Sequence, residues 1–228
     1  MDYVYICRDG ENEELRYSIR SLEANFPPGK IWVVGGKPSW YSGNYIRVRS
    51  ISSKQNNAIK NLSAIIQSDE IPEEFILMND DFFVVKPVKE IKTYHGGSLK
   101  DKIVLRREIT PGSRYPELLS KTYGFLEKIG VSEILDYDIH VPMKMSKTGL
   151  REALSFGTQW RSTYGNTHRL GGEKIDDVKV YGSGNLLELS YNMEDLKSEY
   201  LSTDDTSFPI VWKKLLKDMF PNPSTCEA

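Results

Sequence analysis

The stretch "FILMNDDFFVV", Phe75–Val85, poses the question on which the fold turns. Apolar residues fill both of its ends, as in a buried strand, yet Asn79, Asp80 and Asp81 stand in the middle. Adjacent carboxylates repel, and burying them unpaired is costly. In open α/β sheets ligands bind beyond the carboxyl ends of the strands. Asp80 and Asp81 follow "FILM" directly, so they either face a cleft at such an end or form a solvated turn where the strand doubles back. In a cleft, close carboxylates suit a hard divalent cation, Mg²⁺ or Mn²⁺, which usually also holds substrate phosphates.

The sequence around this stretch favours the open sheet. "DYVYIC" (2–7) reads as a first buried strand, and "NEELRYSIRSLEANF" (12–26) places Leu15, Ile19, Leu22 and Phe26 at helical spacing. "KIWVVGG" (30–36) and "YIRVRSI" (45–51) read as further strands. "KQNNAIKNLSAIIQS" (54–68) reads as a helix with Ile59, Leu62, Ile65 and Ile66 inward. Strand and helix alternate up to Val85, the pattern of an α/β fold with a mostly parallel sheet. The rest is less regular. "YPELLSKTYGFLEKIG" (115–130) and "SKTGLREALSF" (146–156) read as helices, and "GGEKIDDVKVYGSGN" (171–185) is loop-rich. "FPIVWKKLLKDMF" (208–220) reads as a helix with Pro209 near its start, where proline is tolerated. No repeat, low-complexity tract or clear linker divides the chain, so the expectation is one domain over 1–228, with a helical and loop-rich second half completing the site.

Composition narrows the function. Among 228 residues, 30 Lys and Arg face 32 Asp and Glu, a net charge of -2 that disfavours a nucleic-acid-coating protein. The two cysteines, Cys7 and Cys226, form no CxxC pair and read as reduced thiols. The first residues lack a basic and then apolar leader, and no apolar run approaches the ~20 residues of a membrane span. A cytoplasmic protein without a transmembrane segment is expected.

Further polar residues are candidates for chemistry, each with a plainer alternative. Arg8 and Asp9 follow the first strand. Arg16 and Arg20, one turn apart, either grip phosphate or pair with surface acids such as Glu13 and Glu23. Asn56, Asn57, Lys60 and Asn61 either contact a base, ribose or phosphate or form a solvated helix face. His140, in "DYDIHVPMKM" near Asp138, is either a general base or a satisfied core histidine. His168 lies in the glycine-rich "YGNTHRLGG", and His95 reads as a loop residue. Asp204 and Asp205 precede the last helix, where capping is the plain alternative.

"NEELRYSIRSLEANFP" together with "FILMNDDFFVV" closely resembles the second conserved region of the Stealth family. That family includes bacterial capsule-polysaccharide phosphotransferases and the animal N-acetylglucosamine phosphotransferase that tags lysosomal enzymes. "DYVYIC" is similar to the family's opening strand motif, in shortened form and fused directly to the second region. "DIHVPMKMSKTGLREAL" is similar to the third region, and "STDDTSFPIVWKKLLKDMFPNPSTCE" to the fourth, with its Phe-Pro-x-Pro-Ser signature. The resemblance implies a GT-A-like Rossmann core and a metal-dependent transferase that moves a sugar or sugar-1-phosphate from a UDP-sugar to a hydroxyl acceptor on a glycan or related polymer. Residues 1–90 would be the nucleotide-sugar half and 91–228 the acceptor half. It implies Asp81 as metal ligand beside Asp80, His140 as base, Arg161 as a functional arginine, and Asp204 or Asp205 completing the site. Arg8, Asp9 and Arg16 would lie near the nucleotide and diphosphate; Asn57 and Lys60, read from the helix itself, are further candidates to bind the donor. Alternatives are a phage-type enzyme that glycosylates a nucleic-acid base, and a nucleotide-binding module without turnover.

Overall fold

The computed structural model describes residues 1–50, 53–182 and 198–228. In chain order the first elements are β1 (Asp2–Cys7), α1 (Glu13–Asn25), β2 (Ile31–Gly35), β3 (Asn44–Arg47), α2 (Lys54–Gln67), β4 (Glu74–Asn79) and β5 (Phe82–Val84). Then come β6 (Tyr94–His95), α3 (Leu99–Ile109), α4 (Tyr115–Lys128), β7 (Met143–Ser146), α5 (Lys147–Ser155) and α6 (Trp160–Thr167). The last are β8 (Glu173–Lys174), β9 (Lys179–Val180), β10 (Tyr200–Thr203), a π-helical turn (Phe208–Trp212) and α7 (Lys213–Met219). They form two compact units: Met1–Ile91 with His140–Lys144 and Val178–Ala228, and Lys92–Ile139 with Met145–Asp177.

The first unit is the α/β core. Its main sheet has the strand order β3-β2-β1-β4-β7, and β1 pairs in parallel with both β2 and β4. Continuous apolar runs explain this: Val4 and Tyr5 in β1, Val33 and Val34 in β2 and Leu77 in β4 are fully buried, as strands covered on both faces must be. From β1 the chain winds outward to β2 and β3, then crosses back to place β4 on the other side of β1. The strand order therefore reverses between β1 and β4, and the crevice where ligands bind in such folds lies at their carboxyl ends. Asn12 caps α1, accepting a hydrogen bond from the Leu15 N–H (3.0 Å).

"FILMNDDFFVV" is two strands, not the single one its apolar run suggests. β4 ends at Asn79, Asp80–Asp81 form a turn, and β5 enters a second sheet of order β5-β10-β9. That small sheet and its covering helices bury Tyr17, Phe83, Leu201, Phe208, Trp212 and Leu216 around one core. The expected last helix is a π-helical turn followed by α7, with Pro209 within the turn.

The second unit holds the α3–α4 pair, packed around Leu99, Ile103, Leu119, Leu126 and Ile134, together with α5, α6 and the two-stranded β6-β8 sheet. α3 and α6 are helices that the sequence pattern conceals. In α3, Val104, Leu105 and Ile109 are exposed, so apolar residues mark more than one side and blur the period. α6 is short and carries a buried row of polar residues, Arg161, Ser162, Thr163 and Asn166. The expected loop-rich region at 171–185 is described as far as Gly182; Ser183, Gly184 and Asn185 lie outside the described residues.

Candidate active site

A cleft of about 380 Å³ opens in the first unit at the β1/β4 switch point. It is lined by Ile6, Cys7 and Arg8 from β1 and its end, Asn79, Asp80 and Asp81 from the end of β4, and Asn57, Ala58 and Asn61 from α2. Glu14 of α1, Lys179 of β9 and the run Thr203–Asp205 complete it. Gly35 allows α2 to close on β1: a Cβ there would lie 2.1 Å from the Cys7 carbonyl and 2.6 Å from Asn61 Nδ2, and its φ of +123° suits glycine. In that space the Asn61 amide donates to the Cys7 carbonyl (3.1 Å).

The two acids of the turn have different partners. Asp80 Oδ2 accepts from Asn12 Nδ2 (2.6 Å), so one asparagine both caps α1 and holds the site acid. Burial raises the Asp80 pKa and neighbouring Asp81 adds to the rise; Arg8 and Asn12 only partly oppose it. Asp81 Oδ2 meets the Lys179 ammonium at 2.7 Å and the Ser202 hydroxyl at 3.1 Å.

A second network crosses the cleft. Arg8 donates through Nη2 to Glu14 Oε2 (2.7 Å) and through Nη1 to Asp205 Oδ1, and Thr203 donates to Glu14 Oε1 (3.1 Å). Glu14 is buried, and desolvation followed by the field of Asp80 pushes its carboxyl to about 7 against the pull of Arg8. Asp204 is resisted by burial yet ends below the usual carboxylate range, because Ser207, Gly182 and Thr206 donate backbone N–H groups to it. Burial, then Asp80, pushes the Cys7 thiol to about 12, so it stays protonated and is no nucleophile at neutral pH.

Of the residues singled out from the sequence, the cleft gathers Arg8, Asn57, Asp80, Asp81, Asp204 and Asp205. Asp9, Arg16 and Lys60 are not among its lining residues. Asp9 Oδ2 accepts from the Ser50 N–H (3.2 Å). Arg16 pairs with Glu13 and Glu227 and lies over the Trp40 ring at 4.9 Å, while Arg20 holds Glu227 at 2.6 Å. His140 is half-buried and sets its ring edge-on to Phe82, the residue after Asp81, with centroids 6.2 Å apart. Arg161 belongs to the second unit, where it is buried and donates through Nε to the Tyr137 carbonyl (3.2 Å). Asn12, Glu14, Lys179 and Thr203 join the site without having been singled out. Asn12 and Glu14 look like ordinary first-turn helix residues, and Lys179 lies in a polar, loop-rich stretch.

Asn79, Asp80 and Asp81 supply successive hard oxygen donors. The Asn79 Oδ1 atom is buried and has no hydrogen-bond partner among the described residues. Such donors suit Mg²⁺ or Mn²⁺, which take one or two carboxylates and complete their shell with water and substrate phosphate. Among the described residues no three His, Cys, Asp or Glu side chains cluster closely enough to hold a metal by themselves. The protein donors thus fit an ion shared with a ligand and do not form an all-protein cage.

An active-site mutant of LgtC superposes on this chain with a TM-score of 0.50 at 10% identity, covering 99% of this chain and 97% of that one. The chain has the GT-A-like fold of LgtC. The galactosyltransferase LgtC in complex with donor and acceptor sugar analogues gives a TM-score of 0.49 at 11% identity over 99% and 97% of the two chains. The apo-form glycosyltransferase GlyE of Streptococcus pneumoniae TIGR4 covers 56% of this chain and 38% of its own, with a TM-score of 0.28 at 12% identity. No protein-family model and no curated protein sequence matches the chain. Among the described residues, no helix is long and apolar enough to cross a membrane.

Proposed function

We propose that the chain is a transferase of the Stealth type, moving a sugar or sugar-1-phosphate from a UDP-sugar to a hydroxyl of a glycan or related polymer. The observation that carries this reading is the cleft at the β1/β4 switch point, which Asp80, Asp81 and Arg8 line together. Its support is the order of motifs along the chain: "NEELRYSIRS", "NDD", "IHVP" and "FPNPS". On this reading residues 1–228 act as one cytoplasmic transferase domain.

The roles follow from chemistry. Asp81, with Asp80 and the Asn79 amide oxygen, would hold Mg²⁺ or Mn²⁺, which when bound supplies Lewis-acid charge to the donor diphosphate. Arg8 presents a planar guanidinium matched to phosphate oxygens and steadies the charge that grows on the leaving group. Glu14 and Asp205 fix the direction of that guanidinium. Asn57 and Asn61 line the wall of the cleft and offer amides to ribose or base. His140, whose ring packs edge-on to Phe82, takes the proton from the acceptor hydroxyl, a role assigned through the family resemblance. Arg161 is assigned through the family resemblance.

Attack on the β-phosphorus releases UMP, and attack on the anomeric carbon releases UDP. Incubating the protein with a panel of UDP-sugars, a glycan acceptor and Mn²⁺, then identifying the nucleotide by chromatography, decides between them. Release of one of the two is the expected result, and EDTA should stop it. A protein that neither binds nor turns over any UDP-sugar in the panel would sink the reading.

A further inference from the structure

Lys179 sits in the cleft because of strand register. β10 pairs antiparallel with β5, which sets Ser202 opposite Phe82, the residue after Asp81. β9 pairs in parallel with β10 and sets Lys179 opposite Ser202. The small sheet therefore delivers an ammonium and a hydroxyl to the same oxygen, Asp81 Oδ2, at 2.7 and 3.1 Å. Both charged side chains are only 15% exposed, so the pair is largely removed from water. A pair held this way is balanced between attraction and desolvation, and a better-matched ion in the same place can displace it.

The charges around the pair sharpen the point. Among the described residues, Glu14, Asp80, Asp81, Asp204 and Asp205 line the cleft against two cations, Arg8 and Lys179. A diphosphate entering so acidic a cleft needs every positive charge turned towards it. Arg8 is held from two sides, by Glu14 and by Asp205. Lys179 stands on a flexible four-carbon stem whose ammonium has three donors and no fixed plane. A divalent cation approaching Asp81 meets that ammonium on one of the carboxylate oxygens.

We infer that Lys179 is an exchangeable counter-ion: it occupies Asp81 before the donor arrives, yields that oxygen to the divalent cation, and then binds a phosphate oxygen of the donor. This rests on the UDP-sugar reading above. It makes Lys179 a donor-binding residue.

Calorimetry on three proteins, wild type, Lys179→Met and Lys179→Arg, tests it without turnover. In the absence of nucleotide, Lys179→Met is expected to bind Mn²⁺ about tenfold more tightly, because the competing cation is gone. With Mn²⁺ saturating, the same variant is expected to bind UDP about tenfold more weakly, because a charged donor is lost. Lys179→Arg keeps the cation and anchors it by a bidentate bond, so its Mn²⁺ affinity should fall below the wild type. The two variants moving Mn²⁺ affinity in opposite directions is a result that a purely structural ion pair does not produce. Should Lys179→Met fail to fold, Lys179→Arg decides alone: weaker Mn²⁺ binding supports exchange, and unchanged Mn²⁺ binding overturns it. Wild type that binds UDP with Mn²⁺ while Lys179→Met leaves both affinities unchanged overturns the exchange and spares the UDP-sugar reading. Wild type that binds no UDP overturns both.

Discussion

Asp80–Asp81 and Asp204–Asp205 are both adjacent aspartates directly after a strand, β4 in one case and β10 in the other, and both line the same cleft. Asp204 is met by three backbone N–H groups, from Gly182 (3.1 Å), Thr206 (3.2 Å) and Ser207 (2.6 Å), and its pKa falls despite burial. Asp80 receives one side-chain amide, and its pKa rises. Their companions differ in the same way. Asp205 reaches out to a half-exposed Arg8, whereas Asp81 is enclosed with Lys179. Backbone donors belong to the fold, so the second pair is stabilised whether or not a ligand is present. Asp80 is held in the ionised state at a cost, and a ligand that brings positive charge relieves it.

The comparison predicts its largest effect at Asp81. Asp81→Asn keeps the shape and removes the charge, and under the proposed function turnover should fall on the order of 10³-fold. Steady-state rates with a UDP-sugar and Mn²⁺ measure it; a rate within about tenfold of wild type would remove Asp81 from metal and donor binding. The same substitution removes the carboxylate charge opposite Lys179, so a lower melting temperature is expected alongside.

Glu14 gives the next effect, through pH. Its pKa is raised from 4.5 to about 7, so the folded state binds this proton more tightly than the unfolded chain. The stability it contributes is full below the unfolded value and is lost as pH rises through about 7. Glu14→Gln cannot lose that proton. Urea titrations should show wild type declining relative to the variant by roughly 2–3 kcal/mol between pH 4.5 and 8. Parallel stability curves would mean that Arg8 and Thr203 fully compensate the buried charge. Activity is expected to move oppositely to stability, since Arg8 loses an ionised partner as the pH drops below about 7.

Much of this arrangement is legible along the chain, and the part that is not has a common cause. β1, α1, β2, α2 and β4 follow from buried runs and helical spacing, and the end of "FILM" is where an open sheet exposes acids. Hydrophobic period cannot say that Phe82–Val84 has left one sheet for another, because the residues remain apolar in both. Nor does it mark Lys179, which reaches Asp81 across 98 residues through strand register alone. Glu14 hides differently, as an acid in a helix first turn, where charge is ordinary. Arg16 shows the reverse: it sits inside the most family-like stretch and is absorbed by Glu13, Glu227 and Trp40.

The smallest effect falls on the other aspartate pair, and it is the one that separates the two kinds of acid. Asp204→Ala removes the acceptor of three N–H groups before the π-helical turn, a loss comparable to removing a helix cap, about 1–2 kcal/mol at pH 7. Because the Asp204 pKa lies below its ordinary value, that stability is present above about pH 4 and fades as the pH falls through the folded value. Wild type and variant should therefore converge as the pH falls through the folded value. UDP binding by the variant should persist, since Arg8 keeps Glu14 and Asp205. If Asp204→Ala instead abolishes UDP binding while its melting temperature holds, the two pairs are alike after all, and the backbone donors around Asp204 serve to aim a ligand group and not to close the loop.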